Sequence, residues 1–332
     1  MSELEALKAS LDAIADPAGQ GSLLSSGRAT APRLDAGRAG VILDVTGLTP
    51  AQRESLRDAV DQRLRALPGV TEVRIALTSE KIARPIIAIA SGKGGVGKST
   101  LSTNLAIALG RQGFRPGLVD ADIYGPSQPL LTGSEGQKPE AEGQKLIAVA
   151  TPVGVPLLSM GHLVRQGQAI AWRGPMAGNA LGQLIDAEWG NVNVLVADMP
   201  PGTGDVQLSM VQKHKPAGAV IISTPQDLAL IDATRAIDLF NTAGVPIIGL
   251  IENMAGYVCP HCGNVSDPFG SGGAEAAARA MGVDFLGRIP LDIEIRTASD
   301  AGQPPAAGNG PHARAFDEIA ARIADWLRQN GG

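Results

Sequence analysis

The sequence predicts an α/β protein whose mostly parallel β-sheet is covered by helices on both faces, preceded by a small α+β domain. Short apolar runs alternate with helical stretches along most of the chain, at residues 86–90, 118–119, 192–197, 219–223, 247–251 and 285–289. Strands that are apolar throughout are typical of parallel sheets buried on both faces. Hydrophobic residues make up 44% of the 332 residues and aromatic residues only 3%, so the predicted core consists mainly of aliphatic side chains.

The first 80 residues show a different pattern. Leu4, Leu7 and Leu11 recur at helical spacing, and residues 51–67 carry a second apolar helical face. Alternating apolar residues predict strands near 41–45 and 70–77, whereas the Gly-, Ser- and Arg-rich stretch 20–40 predicts a loop. We therefore expect a small α+β domain at residues 1–80, a linker at 81–84 and the large α/β domain at 85–332.

Charge and composition argue against several classes of protein. Lys and Arg total 28 and Asp and Glu 33, a net charge of −5, whereas proteins that coat nucleic acid usually carry a basic stripe. Two cysteines are too few for a disulfide scaffold. No apolar run approaches the roughly 18 residues of a membrane span, and the acidic first residues lack an apolar signal core. We expect a cytoplasmic protein that binds neither nucleic acid nor membranes.

A phosphate-binding loop follows the first strand of the large domain. Residues 91–100 read SGKGGVGKST, in which Gly92, Gly97, Lys98 and Ser99 fit the pattern GxxxxGK[ST]. Glycines let backbone N–H groups wrap a phosphate, and the helix beginning near Lys98 directs its positive end at the same anion. Lys98 is predicted to reach the terminal phosphates, and the Ser99 hydroxyl to bind Mg²⁺.

Lys93 adds a second signal within this loop. A lysine directly after the first glycine marks the deviant Walker A class of P-loop proteins. In that class it resembles a residue that crosses a dimer interface to the nucleotide of the partner, and the alternative is an ordinary solvated lysine. Residues 85–332 are therefore predicted to be a deviant Walker A P-loop NTPase domain with a cysteine-bearing loop.

Polar residues follow three other predicted strands. Asp120 is expected to act near Mg²⁺, and Asp122 to orient the attacking water. Asp198 fits the Walker B role of holding Mg²⁺ directly or through water, and Gly202 would let the backbone approach the γ-phosphate. Asn253 has donor and acceptor groups suited to the edge of a purine base. The alternative for each carboxylate is a structural role in a turn.

Both cysteines lie in the segment Cys259-Pro-His-Cys262. Four interpretations compete: a dithiol redox site, a zinc site, an iron–sulfur site, and two inert thiols. Zinc and [4Fe–4S] clusters take four protein ligands, and one chain supplies only two thiolates. Because two chains related by a two-fold axis would supply four, a bridging site in a homodimer is expected, with zinc still possible there.

Together these segments resemble the Mrp/ApbC-type P-loop iron–sulfur cluster carriers, which are relatives of MinD, ParA and nitrogenase iron protein. The resemblance runs from about residue 85 to 305, through SGKGGVGKST (91–100), DADIYGPS (120–127), WRGPM (172–176), DMPPGTGDVQLS (198–209), STPQDLALIDA (223–233), IENM (251–254) and CPHCG (259–263). The first 80 residues resemble the small domain that often precedes this core. That domain often has a cysteine near the position of Gln52, but this chain has none there. We therefore expect the first 80 residues to have an interaction role rather than a metal-binding role.

The resemblance implies an ATP-hydrolysing, Mg²⁺-dependent homodimer. It also implies a labile [4Fe–4S] cluster bridged by Cys259 and Cys262 of both subunits, passed to apo-proteins and supplied by scaffold proteins. Catalytic roles fall on Lys93, Lys98 and Asp122. Nucleotide binding falls on Gly92, Lys93, Gly94, Gly95, Val96, Gly97, Lys98, Ser99, Thr100, Asp198, Gly202 and Asn253. A positioning or partition ATPase and a zinc-stabilised regulatory NTPase are the alternative functions.

Overall fold

The computed structural model describes residues 3–19, 21–80, 84–143, 145–163, 174–259 and 261–330. The chain divides into two compact units, residues 1–83 with 188–191, and residues 84–187 with 192–332. Residues 81–83 of the predicted linker lie outside the described part of the chain. Arg84 belongs to the larger unit, where its Nε donates a hydrogen bond to the Val192 carbonyl at 2.9 Å.

The smaller unit packs two helices against a three-stranded sheet. Its elements are α1 (Glu3–Asp12), β1 (Ala29–Asp35), β2 (Arg38–Asp44), α2 (Pro50–Arg65) and β3 (Glu72–Thr78). Strand β2 is central, antiparallel to β1 and parallel to β3. Helix α2 begins with a capping box. The backbone N–H of Gln52 donates to the Thr49 hydroxyl, and the side-chain oxygen of Gln52 accepts from the backbone N–H of Thr49. Gln52, which stands near the position where the resembled domain often has a cysteine, therefore stabilises a helix end.

The expectation of a loop at residues 20–40 is wrong. Strand β1 and the first residues of β2 lie within this stretch. Of the residues in β1 only Ala29 is buried, so this edge strand lacks the apolar alternation by which a strand is recognised. The β1–β2 register also shifts between Thr30 and Arg33, where Ala31 has a φ of 47°.

The larger unit carries the remaining elements. They are β4 (Ile86–Ala90), α3 (Lys98–Arg111), β5 (Pro116–Asp120), α4 (Gln128–Leu131), β6 (Ala141–Glu142), β7 (Lys145–Leu146), β8 (Leu157–Ser159), α5 (Met160–Leu163), α6 (Gly174–Ile185), β9 (Val194–Asp198), α7 (Asp205–His214), β10 (Gly218–Ser223), α8 (Asp227–Thr242), β11 (Ile247–Val258), β12 (Val265–Ser266), α9 (Gly273–Met281), β13 (Phe285–Leu291), α10 (Ile293–Asp300), a 3₁₀ turn (Pro305–Ala307) and α11 (Pro311–Asn330).

The main sheet confirms the predicted fold class. Its order is β12-β11-β10-β4-β9-β5-β8, with β13 also paired to β11, and every pairing except β11–β12 is parallel. All six predicted strands belong to it. The sequence missed β8 and β12, which have three and two residues and are too short for a periodic pattern. Every residue of β4, β5 and β9 is buried, as covering of both faces requires.

The topology brings the ends of the central strands together. Strand β4 lies between β9 and β10, so the carboxyl ends of these three parallel strands meet at one edge of the sheet, where α/β proteins bind ligands. The last helix, α11, buries Phe316, Ile319 and Ile323 in the core, and Trp326 is partly buried against the same cluster. No helix among the described residues is long and apolar enough to cross a membrane.

Candidate nucleotide site and cysteine hairpin

The loop between β4 and α3 requires glycine at two positions, because neighbouring residues leave no room for a Cβ at either of them. Gly97 has a φ of 86°, and a Cβ there would lie 2.2 Å from the Asn253 Nδ2 atom. A Cβ on Gly92 would lie 2.0 Å from the Asp232 carbonyl oxygen in α8. The loop is therefore held closely between the middle of β11 and the first turns of α8.

A buried ion pair joins this loop to strand β9. The Lys98 Nζ atom lies 2.6 Å from Asp198 Oδ1. Asp198 is fully buried at the end of β9 and Lys98 is nearly so at the start of α3. The Ser102 hydroxyl, one helical turn after Lys98, donates to the same Oδ1 atom at 2.9 Å. The carboxylate and the lysine of the predicted site therefore compensate each other's charge.

Asp120 lies beside this pair but is held by other groups. Its Oδ2 atom accepts hydrogen bonds from the Ser159 hydroxyl at 2.8 Å and the Gln128 N–H at 3.1 Å. Complete burial, together with the nearby negative charge of Asp198, raises the pKa of Asp120 to about 7. At neutral pH this carboxyl group is therefore partly protonated.

Asp122 faces Lys98 from the loop after β5. Its Oδ2 atom lies 3.8 Å from the Lys98 Nζ atom, while Oδ1 accepts the N–H groups of Tyr124 at 3.2 Å and Gly125 at 3.3 Å. Burial raises the pKa of Asp122, and the Lys98 charge opposes that effect. The two acceptor contacts give Asp122 the turn-stabilising role that was its structural alternative, and they leave Oδ2 directed toward the lysine.

Two adjoining cavities surround the loop. The first, of about 220 Å³, is lined by Ser91, Lys93, Gly94, Gly95, Gly97, Lys98, Ser99, Thr100, Asp122 and Pro201. The second, of about 200 Å³, is mostly apolar and is lined among others by Thr100, Leu101, Asn253, Ile289, Pro290, Ile295 and Phe316. Gly97 and Thr100 line both. A polar cavity suits the phosphates of a nucleotide, and an adjoining apolar cavity suits its base.

Asn253, which was predicted to contact a purine base, bonds to the phosphate loop in the structure. Its Nδ2 atom donates to the Val96 carbonyl at 2.7 Å, inside the phosphate loop. It also lines the apolar cavity, so its Oδ1 atom and second N–H group are the atoms that a base could use. Gly202, another predicted site residue, has a φ of 89° and donates its N–H to the Ser91 carbonyl at 2.9 Å, which joins the β9 loop to the start of the phosphate loop.

Lys93 is half-buried at the edge of the first cavity. Its Nζ atom lies 3.4 Å from the Gln226 Oε1 atom, just before α8. The sequence did not single out Gln226, although it lies in the STPQDLALIDA motif. It also missed Gln128, Ser102 and Ser159, which contact the buried carboxylates. Helical spacing from Lys98 could have found Ser102, whereas Gln128 and Ser159 lie too far along the chain from their partners for any local pattern.

The two cysteines lie at the tip of a hairpin. Strand β11 extends past the sheet and pairs with β12, where Val258 lies opposite Val265. The Cys259 N–H donates to the Asn264 carbonyl and the Gly263 N–H to the Cys259 carbonyl, both at 2.9 Å, which closes the turn. Hydrogen bonds from the backbone of His261 and Cys262 lower the pKa of the Cys259 thiol. The turn therefore favours a thiolate, the form that binds metals.

Comparison with known proteins identifies the family. The family model described as NUBPL iron-transfer P-loop NTPase matches residues 82–324, and that of an iron–sulfur cluster assembly protein matches residues 4–75. The chain belongs to the NUBPL-type iron-transfer P-loop NTPases. The predicted resemblance to P-loop iron–sulfur cluster carriers is thereby confirmed. Within the family's motifs, Trp172 and Arg173 lie outside the described residues.

Individual relatives of this NTPase family agree. The chain is 47% identical to an iron–sulfur cluster carrier protein of Pseudomonas fragi over 71% of this chain and 83% of the relative. It is 40% identical to one of Deinococcus radiodurans over 90% and 88%. Among solved structures, a nucleotide-binding protein of Archaeoglobus fulgidus in complex with ADP shares 37% identity with a TM-score of 0.60, covering 70% of this chain and 91% of that protein.

Removing the Lys98 side chain is expected to lower the stability of the fold and also to weaken nucleotide binding. In Lys98→Ala the buried Asp198 charge loses its partner, which typically costs about 3–5 kcal/mol of unfolding free energy. The double variant Lys98→Ala/Asp198→Asn should recover much of this loss in urea unfolding, yet remain defective in ATP binding. A Lys98→Ala protein as stable as wild type would contradict the role of the pair.

The raised pKa of Asp120 predicts a pH-dependent stability difference. Because the pKa is 3.8 in a model peptide and about 7 in the fold, the native state binds more protons between these values. The contribution of Asp120 to the unfolding free energy therefore falls as pH rises from about 4 to about 7. Relative to wild type, Asp120→Asn should gain stability across this window when urea unfolding is measured in EDTA. A difference that is constant with pH would refute the shift.

Proposed function

We propose that this protein is an ATP-dependent iron–sulfur cluster carrier that works as a homodimer. It binds and hydrolyses ATP with Mg²⁺, holds a [4Fe–4S] cluster between Cys259 and Cys262 of both protomers, and passes the cluster to apo-proteins. Scaffold proteins are the proposed donors. The observation that carries this proposal is strand β11, because one continuous strand bears Asn253 at the phosphate loop and presents both thiols at its far end.

The nucleotide half of the proposal rests on groups that already converge. Glycine backbone and the Lys98 ammonium form a cationic cradle for the phosphates of ATP, and the apolar cavity lies beside it for the base. The Ser99 hydroxyl and the Asp198 carboxylate are hard oxygen donors, which fit Mg²⁺. Bound there, Mg²⁺ would neutralise charge that develops on the phosphates. Asp122 is proposed to orient the attacking water, and Lys93 to reach the nucleotide of the partner.

The cluster half rests on the number and character of the thiols. A chain with two cysteines at one hairpin tip supplies half of the four ligands that a [4Fe–4S] cluster takes. Cys259 is half-buried and Cys262 exposed, so a second copy can approach both. The relatives named iron–sulfur cluster carrier proteins favour an iron–sulfur cargo over zinc.

Exposed apolar side chains support the homodimer. Val258 and Val265, which flank the cysteines, are 57% and 71% exposed. Leu228 and Ile231, on one face of α8 near Lys93, are 74% and 53% exposed. Strands β10 and β11 are parallel neighbours, so the α8 end and the hairpin extend from the same edge of the sheet. A second protomer on this edge would cover apolar surface that is otherwise in contact with water.

Metal analysis tests the cluster. After anaerobic reconstitution, wild type should hold about four iron and four sulfide per dimer, as a shared cubane requires, and Cys259→Ser should hold none. His261→Gln is the matched control between the two cysteines, and it should keep its iron. Tightly held zinc in place of iron would favour the zinc-stabilised NTPase, and wild type without any metal would overturn the carrier function.

Association tests the dimer surface. Ile231→Glu puts a charge on the proposed apolar face of α8 and should shift the protein toward monomer in analytical ultracentrifugation with ATP and Mg²⁺. Leu77→Glu, at an exposed leucine of the smaller unit, is the control and should leave association unchanged. An unchanged dimer in Ile231→Glu would exclude this face.

A further inference from the structure

We propose that Gln128 is a positioning residue of the nucleotide site, whose side-chain amide holds Asp198 and Ser99 in the mutual arrangement that binds Mg²⁺. This inference rests on the proposed binding of ATP with Mg²⁺. Gln128 is the first residue of α4 and is completely buried. Its Nε2 atom donates to Asp198 Oδ2 at 2.8 Å and lies 3.1 Å from the Ser99 carbonyl oxygen. One amide group therefore contacts both residues that are assigned to the metal.

The orientation of the Gln128 amide is set by its neighbours. Its Oε1 atom accepts a hydrogen bond from the Thr103 hydroxyl, on the side away from Asp198. A flipped amide would direct Oε1 at the Asp198 carboxylate and at the Ser99 carbonyl, so three acceptors would face one another without a proton. Because Gln128 is buried, water cannot relieve that repulsion. The donor therefore points to Asp198 in the folded protein.

The amide matters most when ATP is bound, because the phosphates then compete with the Asp198 carboxylate for the Lys98 ammonium group. Among the described residues Lys98, Ser102 and Gln128 donate to the Asp198 carboxylate. Of these only Lys98 is also predicted to contact the phosphates. As the ammonium turns toward the phosphates, the neutral Ser102 and Gln128 are left to orient the carboxylate. Ser102 bonds Oδ1 and Gln128 bonds Oδ2, so the two together fix the rotation of the carboxylate plane.

Gln128 also connects Asp198 to the loop that carries Asp122. Its backbone N–H donates to Asp120 Oδ2, so the loop between Asp120 and Gln128 is closed at both ends around one carboxyl group. A displacement of Asp122 at the reacting phosphate would therefore be transmitted through Gln128 to Asp198. A leucine at this position would leave Asp198 Oδ2 without this donor, and a glutamate would place a further carboxylate against it.

The test measures ATP binding by isothermal titration calorimetry at a series of Mg²⁺ concentrations. In Gln128→Leu and in the isosteric Gln128→Glu, we expect the Mg²⁺ concentration for half-maximal ATP binding to rise roughly 10- to 100-fold, the usual effect of removing a hydrogen-bond partner from a metal-ligating group. ATP affinity in EDTA should stay near the wild-type value, because the phosphate loop itself is unchanged. A purely structural defect would weaken binding with and without metal alike.

Thr132→Val is the matched control. Thr132 is also fully buried, and its hydroxyl donates to the backbone carbonyl of Gln128 at 2.7 Å. It forms no hydrogen bond with Asp198 or Ser99. Thr132→Val should lower thermal stability without changing the Mg²⁺ requirement. An unchanged Mg²⁺ requirement in either folded Gln128 variant, or an equal rise in Thr132→Val, would overturn the positioning role. Wild type that binds ATP without any Mg²⁺ dependence would overturn the proposed function itself, and this role with it.

Discussion

The buried contact between Lys98 and Asp198 is the interaction on which the architecture of the site depends. A carboxylate with no exposure to water is strongly destabilising unless charged and hydrogen-bonding partners surround it. Asp198 obtains them from two helices, because Lys98 and Ser102 come from α3 and Gln128 comes from α4. The phosphate loop, strand β9 and the Asp122 loop are thereby arranged around one charge.

In the proposed function, the same interaction would allow a bound nucleotide to affect distant parts of the larger unit. Lys98 forms an ion pair with the Asp198 carboxylate, and the phosphates of the proposed substrate carry a higher negative charge than this carboxylate. In the proposed function, movement of Lys98 toward these phosphates would leave Ser102 and Gln128 as the donors to Asp198, and Gln128 also bonds to Asp120. On the other side of the loop, the Asn253 amide bonds to the Val96 carbonyl, and β11 continues from Asn253 to the cysteine hairpin. In the proposed function, this strand is the covalent route between nucleotide and cargo.

Local patterns predicted what local physics determines. The spacing of Gly97, Lys98 and Ser99 after an apolar strand was sufficient for the phosphate loop, because strand, turn and helix are consecutive in the chain. The edge strand β1 was missed since its side chains are mostly exposed. Gln128 was missed since its side chain contacts Asp198, which is 70 residues away. The hydrogen bond from Asn253 to the Val96 carbonyl was missed for the same reason, and its contact with a base stays a prediction. Contacts between distant segments leave no periodic trace in a sequence.

The choice of a neutral amide at position 128 follows from the charge of the site. Lys98 compensates Asp198, Asp122 faces both, and Asp120 has a pKa of about 7, so it carries only part of a charge near neutrality. A second cation at position 128 would bind Asp198 more strongly, but it would cancel the negative charge that attracts Mg²⁺. An apolar residue would leave the buried carboxylate short of a donor. An amide donor orients Asp198 without neutralising it, and its length lets it reach the Ser99 carbonyl in the same position.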